Sequence, residues 1–110
     1  MGTWGSAAWE NDAAADWFSD LFAQTGLASR IEETLKGDVE DEAQEMRAAA
    51  SVLIALGHDF VWPLDDLDRH LTLAISRLEE IKKLEEFEDQ TEDIDKEIAT
   101  LKARLKPEVR

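Results

Sequence analysis

Apolar residues recur at three- and four-residue steps along nearly the whole chain, with charged positions between them. That is the period of an α-helix, not the alternation of a strand. Ala14, Trp17, Phe18, Leu21 and Phe22 share one face of a first helix while Asp12, Asp16 and Asp20 take the other. Asn11 is a good N-cap for it, Asp12 complements its dipole, and Gly26 stops it. Leu27, Ile31 and Leu35 draw a narrow stripe on a short second helix closed by Gly37, which predicts a helix on the surface of the core. Asp38 can cap a third helix, acidic at first and then apolar through Met46, Ala49, Ala50, Val52, Leu53, Ile54 and Leu56 to Gly57. This third helix is expected to be the central, most buried one. His58 to Pro63 is a loop by composition, and its Phe60, Val61 and Trp62 predict a plug at the end of a bundle.

From Leu64 a seam of threes and fours runs through Leu67, Leu71, Ala74, Leu78 and Ile81, then Leu84, Phe87, Thr91, Ile94, Ile98, Leu101 and Leu105. Its phase slips by one residue between Ile81 and Leu84. A slip favours a kink or a break, so two helices folding back near Asp89-Gln90-Thr91 are expected. A single kinked helix pairing in a dimer is the alternative.

The expected architecture is therefore all-α: a small bundle of four to five helices in one domain spanning 1–110, with a Trp-rich arm over 1–10. The helices fall at about 11–24, 27–36, 39–57, 64–83 and 91–105. One hundred and ten residues suffice for one core and not for two.

Composition narrows the chemistry. The absence of cysteine excludes a disulfide framework, a thiolate metal site and a thiol nucleophile. No run approaches the roughly 18 apolar residues of a membrane span, and the simplest expectation is a cytoplasmic protein without a membrane partner. Twenty-six acidic against twelve basic residues give a net charge of -14. Direct nucleic-acid binding through phosphates requires the opposite sign. The acids concentrate in 1–45 and 79–97, and only 98–110 is positive. If this field serves function, it attracts a basic protein; otherwise it keeps a small domain in solution.

Met1-Gly2-Thr3-Trp4-Gly5, continued by Trp9-Glu10-Asn11-Asp12, an alanine and Asp16-Trp17, resembles the opening of the bacterial family known as domain of unknown function 4259. The resemblance is tight over the first 17 residues and extends weakly to the alanine-rich third helix, the Trp62-Pro63 loop and the charged C-terminal helix. Ser6-Ala7-Ala8 stand where that family often has a glycine and a proline. The resemblance implies a small helical bacterial protein with no assigned activity, and it carries over no catalytic residue. Physically, Trp4, Trp9, Asn11, Asp12, Asp16 and Trp17 read as a structural motif: Trp9 ahead of the Asn11 cap staples the helix start, and Trp17 follows inside.

No catalytic, cofactor-binding or metal-ligating residue is assigned. Glu10, Asp12 and Asp16 gather carboxylates near one helix start, which capping explains without a metal. The serines lack a nucleophile elbow, and no glycine-rich phosphate loop exists. The acidic stretch offers more. Glu85, Glu86, Glu88, Asp89, Glu92 and Asp93 form a row of carboxylates of the kind that fills a basic cleft, and they are the candidate partner-binding residues. The leading expectation is a non-enzymatic interaction module, immunity- or antitoxin-like, that binds a basic partner. Two alternatives stand beside it: a metal-dependent hydrolase using His58 and His70 with Asp59 or Asp66, and a structural homodimer built on the C-terminal seam.

Overall fold

The computed structural model describes residues 5–105. Five α-helices follow one another: α1 (Asp12–Thr25), α2 (Leu27–Leu35), α3 (Val39–Leu56), α4 (Leu64–Lys82) and α5 (Thr91–Arg104), with a 3-10 helix (Glu85–Gln90) between the last two. The class is all-α, and no strand occurs among the described residues.

The helix boundaries have local causes. The Asn11 side chain accepts from the Ala14 amide at 2.8 Å, filling one orphan donor of α1. Gly26 adopts φ 64°, the left-handed conformation that ends α1 and is cheap only for glycine. Asp38 caps α3 by accepting from the Glu40 amide at 2.8 Å. Pro63 stands at the N-cap of α4, one position ahead of the first turn in which a proline is usually placed.

The core is one cluster drawn from all five helices and the loop. α4 is its centre: it buries Leu67, His70, Leu71, Ala74, Leu78 and Ile81 and packs against α2, α3 and α5. The expectation that α3 would be the most buried helix is corrected accordingly. α3 buries Ala43, Met46, Ala49, Ala50 and Leu53, while Val52, Ile54 and Leu56 remain half-buried. The alanines let α4 approach one side of α3 closely, and they leave the larger residues on its flanks.

The chain leaves α4 at Lys83, where the hydrophobic phase slips, and α5 begins at Thr91, so the two helices fall within a residue of the bounds the seam predicts. Leu84 is extended (ψ 138°), and the 3-10 helix then carries the turn, pinned by the buried Phe87. α5 runs back along α4 with Ile94, Ile98 and Leu101 inside. The seam is thus used within the chain, α4 against α5 and α3.

α1 is different. Among the helices it approaches only α2, and Phe22 is its one buried residue, meeting the Trp62 ring edge-on at 5.0 Å. Trp17, placed inside by the helical pattern, is 60% exposed and touches Phe18 edge-on. Only part of its face is covered: Phe22 is buried and Phe18 packs against the core, while Trp17 lies outside that contact. In the loop, Val61 and Trp62 are buried as a plug, but Phe60 is 55% exposed and holds φ 71°. A bulky residue in the left-handed region costs on the order of 1–3 kcal/mol.

Two arginines tie helix ends across the fold. α2 and α3 have no basic residue in their last turns. Arg77 of α4 donates from Nε to the Leu35 carbonyl at the end of α2 (2.6 Å). Arg104 of α5 donates to the carbonyls of Leu53 (3.3 Å), Ile54 (2.9 Å) and Gly57 (3.3 Å) at the end of α3. Each guanidinium bonds carbonyls at a helix end, of which Leu53 also accepts from the Gly57 amide at 2.7 Å, and sits at the negative end of a helix dipole.

Candidate protein-interaction site

The six carboxylates singled out from the sequence, Glu85, Glu86, Glu88, Asp89, Glu92 and Asp93, are all exposed along the 3-10 helix and the first turn of α5. Among the described residues none of them takes part in a salt bridge, although Arg47 lies within the field of Asp93. Of the lysines nearby, Lys82 pairs with Asp95 at 2.7 Å and with Glu79 at 3.6 Å, while Lys83 and Lys96 are exposed and form no salt bridge among the described residues. Phe87 points inward and sets the direction of its neighbours, so the acidic side chains of the segment face out.

The start of α3 joins them. Its first turn carries Glu40, Asp41 and Glu42, and the helix kinks at Glu42 (φ -125°, ψ 24°). Glu40, Asp41 and Glu45 from this end, with Glu86 from the 3-10 helix, Ala43 and Gln44, line a recess of about 200 Å3. Acidic runs some forty residues apart in sequence therefore share one concave surface. That juxtaposition is invisible to periodicity, because it depends on how α3 meets the turn before α5.

A clamp fixes that meeting. Arg47 Nε and Nη2 lie 2.9 and 2.7 Å from the two Glu97 oxygens, a bidentate pair half-withdrawn from solvent, and Arg47 Nη1 also donates to the Gln90 side chain. Bidentate guanidinium–carboxylate pairs are geometrically demanding, so the clamp sets the register of α3 against α5. It stands beside the acidic recess, and Glu97 is the one carboxylate among the described residues that pairs with it.

The histidines are engaged separately. His70 is 1% exposed. Trp62 Nε1 donates to its Nδ1 at 3.0 Å, and its Nε2 lies 2.7 Å from Glu32 Oε1. An indole nitrogen is a donor only, so Nδ1 accepts and Nε2 carries the proton that goes to Glu32. Glu32 also meets Arg69 at 2.7 Å and Lys36 at 2.6 Å, and these cations, Arg69 foremost, hold its carboxyl well below the usual range. Periodicity does not reveal this Trp62–His70–Glu32 chain, which runs from the buried indole and imidazole to a carboxylate at the surface. His58 instead stacks on Trp9, centroids 4.4 Å apart at 19°. Burial, and then the Arg104 charge, push its pKa below the ordinary 6.5. With both nitrogens of His70 committed, it has no lone pair to offer an ion. Among the described residues no group of three His, Asp or Glu side chains is arranged to hold a metal.

The N-terminal motif is divided by the structure. Trp4 lies outside the described residues. Asn11 caps α1, and Asp12 stands in its first turn. Asp16 is exposed, and so, against expectation, is Trp17. Trp9 does not staple α1; it reaches the loop and stacks on His58, because Glu10 intervenes and places Trp9 one residue too early for a staple. Glu10 turns back on the arm, accepting from the Ala7 amide at 2.8 Å, and Gly5 leaves room for its carboxylate.

Among the described residues no helix is long and apolar enough to cross a membrane. No family model matches the chain, and no curated protein or solved structure matches it either.

Proposed function

We propose that this chain is a non-enzymatic interaction module whose acidic recess receives a basic protein, in the manner of an immunity or antitoxin protein that occupies the cationic cleft of its target. The observation that carries this reading is the convergence of Glu40, Asp41 and Glu45 with Glu86 in one recess, continued along the exposed row from Glu85 to Asp93. Gathering an excess of like charges costs a fold stability, and a partner that brings further cations recovers it. The N-terminal motif supports kinship with the bacterial family of domain of unknown function 4259, a kinship that brings no activity with it.

The test compares the chain with a variant carrying Glu40→Gln, Asp41→Asn, Glu45→Gln and Glu86→Gln, both immobilised and exposed to extract of the host. The unaltered chain is expected to retain a basic protein that elutes as salt rises from about 50 mM to 1 M, and the variant to lose it. Retention of the same protein by both chains, or of no basic protein by either, refutes the proposal.

A further inference from the structure

At the other end of the bundle from the acidic recess, α1 and the loop that follows α3 enclose a groove of about 430 Å3. Ala15, Ser19 and Ala23 of α1 form one wall, Phe60 and Leu64 stand on the other, and Phe22 and Trp62 lie at its base. Leu64 is 54% exposed. The recess sits at the first turn of α3 and the groove beyond its last, so the 18 residues of α3, about 27 Å, separate the two. A change in one leaves the other intact.

The charges around this groove decide what fits it. Asp16 and Asp20 each stand one residue from a groove-lining position of α1, and Asp65 one residue from Leu64; all three are exposed. Asp66 lines the groove itself and is paired with Arg69 at 3.1 Å. Arg30, next to Ser29, is the one cation adjoining a lining residue that no carboxylate engages among the described residues. Residues 1–29 contain no lysine or arginine at all. An anionic lipid surface or the acidic face of a second copy meets repulsion here, whereas an apolar segment flanked by cations meets complement on both counts.

We propose that the groove receives the apolar face of a basic amphipathic helix from a partner protein. The occupant's apolar side chains enter between α1 and Phe60–Leu64, and its lysines or arginines face Asp16, Asp20 and Asp65. This is the helix-in-groove mode of recognition, read by anchors at i, i+3, i+4 and i+7. The proposal rests on the reading that the partner is basic, but it uses a different surface and fails independently of the recess.

The probe is a synthetic 18-residue peptide of leucine and lysine with leucines at helical spacing, beside a permuted peptide of identical composition, each titrated calorimetrically into the full chain. The patterned peptide is expected to bind at least tenfold more tightly than the permuted one. Ala23→Phe, which fills the groove from an exposed position of α1, and Leu64→Asn, which removes the apolar rim, are each expected to weaken it at least tenfold. The recess variant with Glu40→Gln and Glu86→Gln is expected to bind it within about twofold of the unaltered chain. Equal binding of both peptides, or undiminished binding by Ala23→Phe and Leu64→Asn, overturns the proposal and leaves the recess untouched. So does tighter binding by Trp4→Ala, which gives the groove to the chain's own N-terminus, or a dimer that Ala23→Phe dissociates, which gives it to a second copy.

Discussion

Replacing His70 by leucine puts an apolar side chain of similar bulk in the core but removes the one acceptor that the Trp62 indole has among the described residues. Trp62 and His70 are each 1% exposed, so no water replaces the lost partner. An orphaned buried donor costs about 1–3 kcal/mol, and the lost bond to Glu32 adds about 0.5–1.5 kcal/mol, moderated because Glu32 keeps Arg69 and Lys36. His70→Leu is therefore expected to destabilise by about 2–3 kcal/mol. Trp62→Phe strands the other side, leaving Nδ1 without a donor, and costs a similar amount. With both replaced, neither orphan remains, so the double variant is more stable than the sum of the singles predicts, with a coupling of about 1–2 kcal/mol. Urea unfolding followed by far-ultraviolet circular dichroism measures all four proteins without relying on the altered tryptophan. With a slope of about 1–3 kcal/mol per molar, each single variant shifts the midpoint down by about 0.7–3 M. Additivity within about 0.5 kcal/mol would refute the reasoning, because it would mean that the indole and the imidazole do not depend on each other.

The other predictions follow from charge. Because the folded protein depresses the pKa of His58 below 6.5, the unfolded chain binds this proton more readily. Stability from this group is complete above pH 6.5 and falls as pH drops through the lower folded value, and His58→Gln is expected to flatten that limb of a stability-versus-pH curve. Glu32 is depressed as well, so its contribution is present above its ordinary 4.5 and is lost at more acid pH; Glu32→Gln removes that second, separate limb in the same measurement. Arg104→Met removes the bonds to the carbonyls of Leu53, Ile54 and Gly57 together, leaving Leu53 only its bond from the Gly57 amide, and a loss of about 1–3 kcal/mol is expected, with faster hydrogen exchange at the amides of Gly57 and its neighbours. Glu86→Gln is expected to raise stability by about 0.3–1 kcal/mol at low ionic strength, with the gain vanishing in 1 M salt, as measured by thermal unfolding.

Much of this fold can be read from periodicity and punctuation. Asn11, Gly26, Asp38 and Gly57 act through the residues next to them, so their effects are written locally. The seam from Leu64 likewise locates α4 and α5, and its slip after Ile81 marks where the chain leaves α4. What escapes is whatever depends on partners distant in sequence. Trp17 belongs to the apolar face of α1, yet periodicity cannot say how much of that face is covered: Phe22 and Phe18 pack on the core while Trp17 stays exposed. Trp9 has the composition of a staple but finds His58 across the fold. The acidic recess has the same character: both of its runs are plain in the sequence, and only the Arg47–Glu97 clamp and the kink at Glu42 bring them together.

The borrowed arginines have a consequence for how this chain comes into being. A helix closed by its own last turn is complete once synthesised, whereas α2 waits for Arg77 and α3 for Arg104. As the polypeptide emerges from the ribosome, the first sixty residues carry unfinished carbonyl ends at both helices and an α4 binding face with nothing on it. Folding is thus deferred toward the end of translation. A nascent chain stalled before residue 104 is expected to remain open to proteolysis or chaperone capture, and the acidic recess, which needs α3, Glu86 and the Arg47–Glu97 clamp together, is set only once Glu97 has emerged.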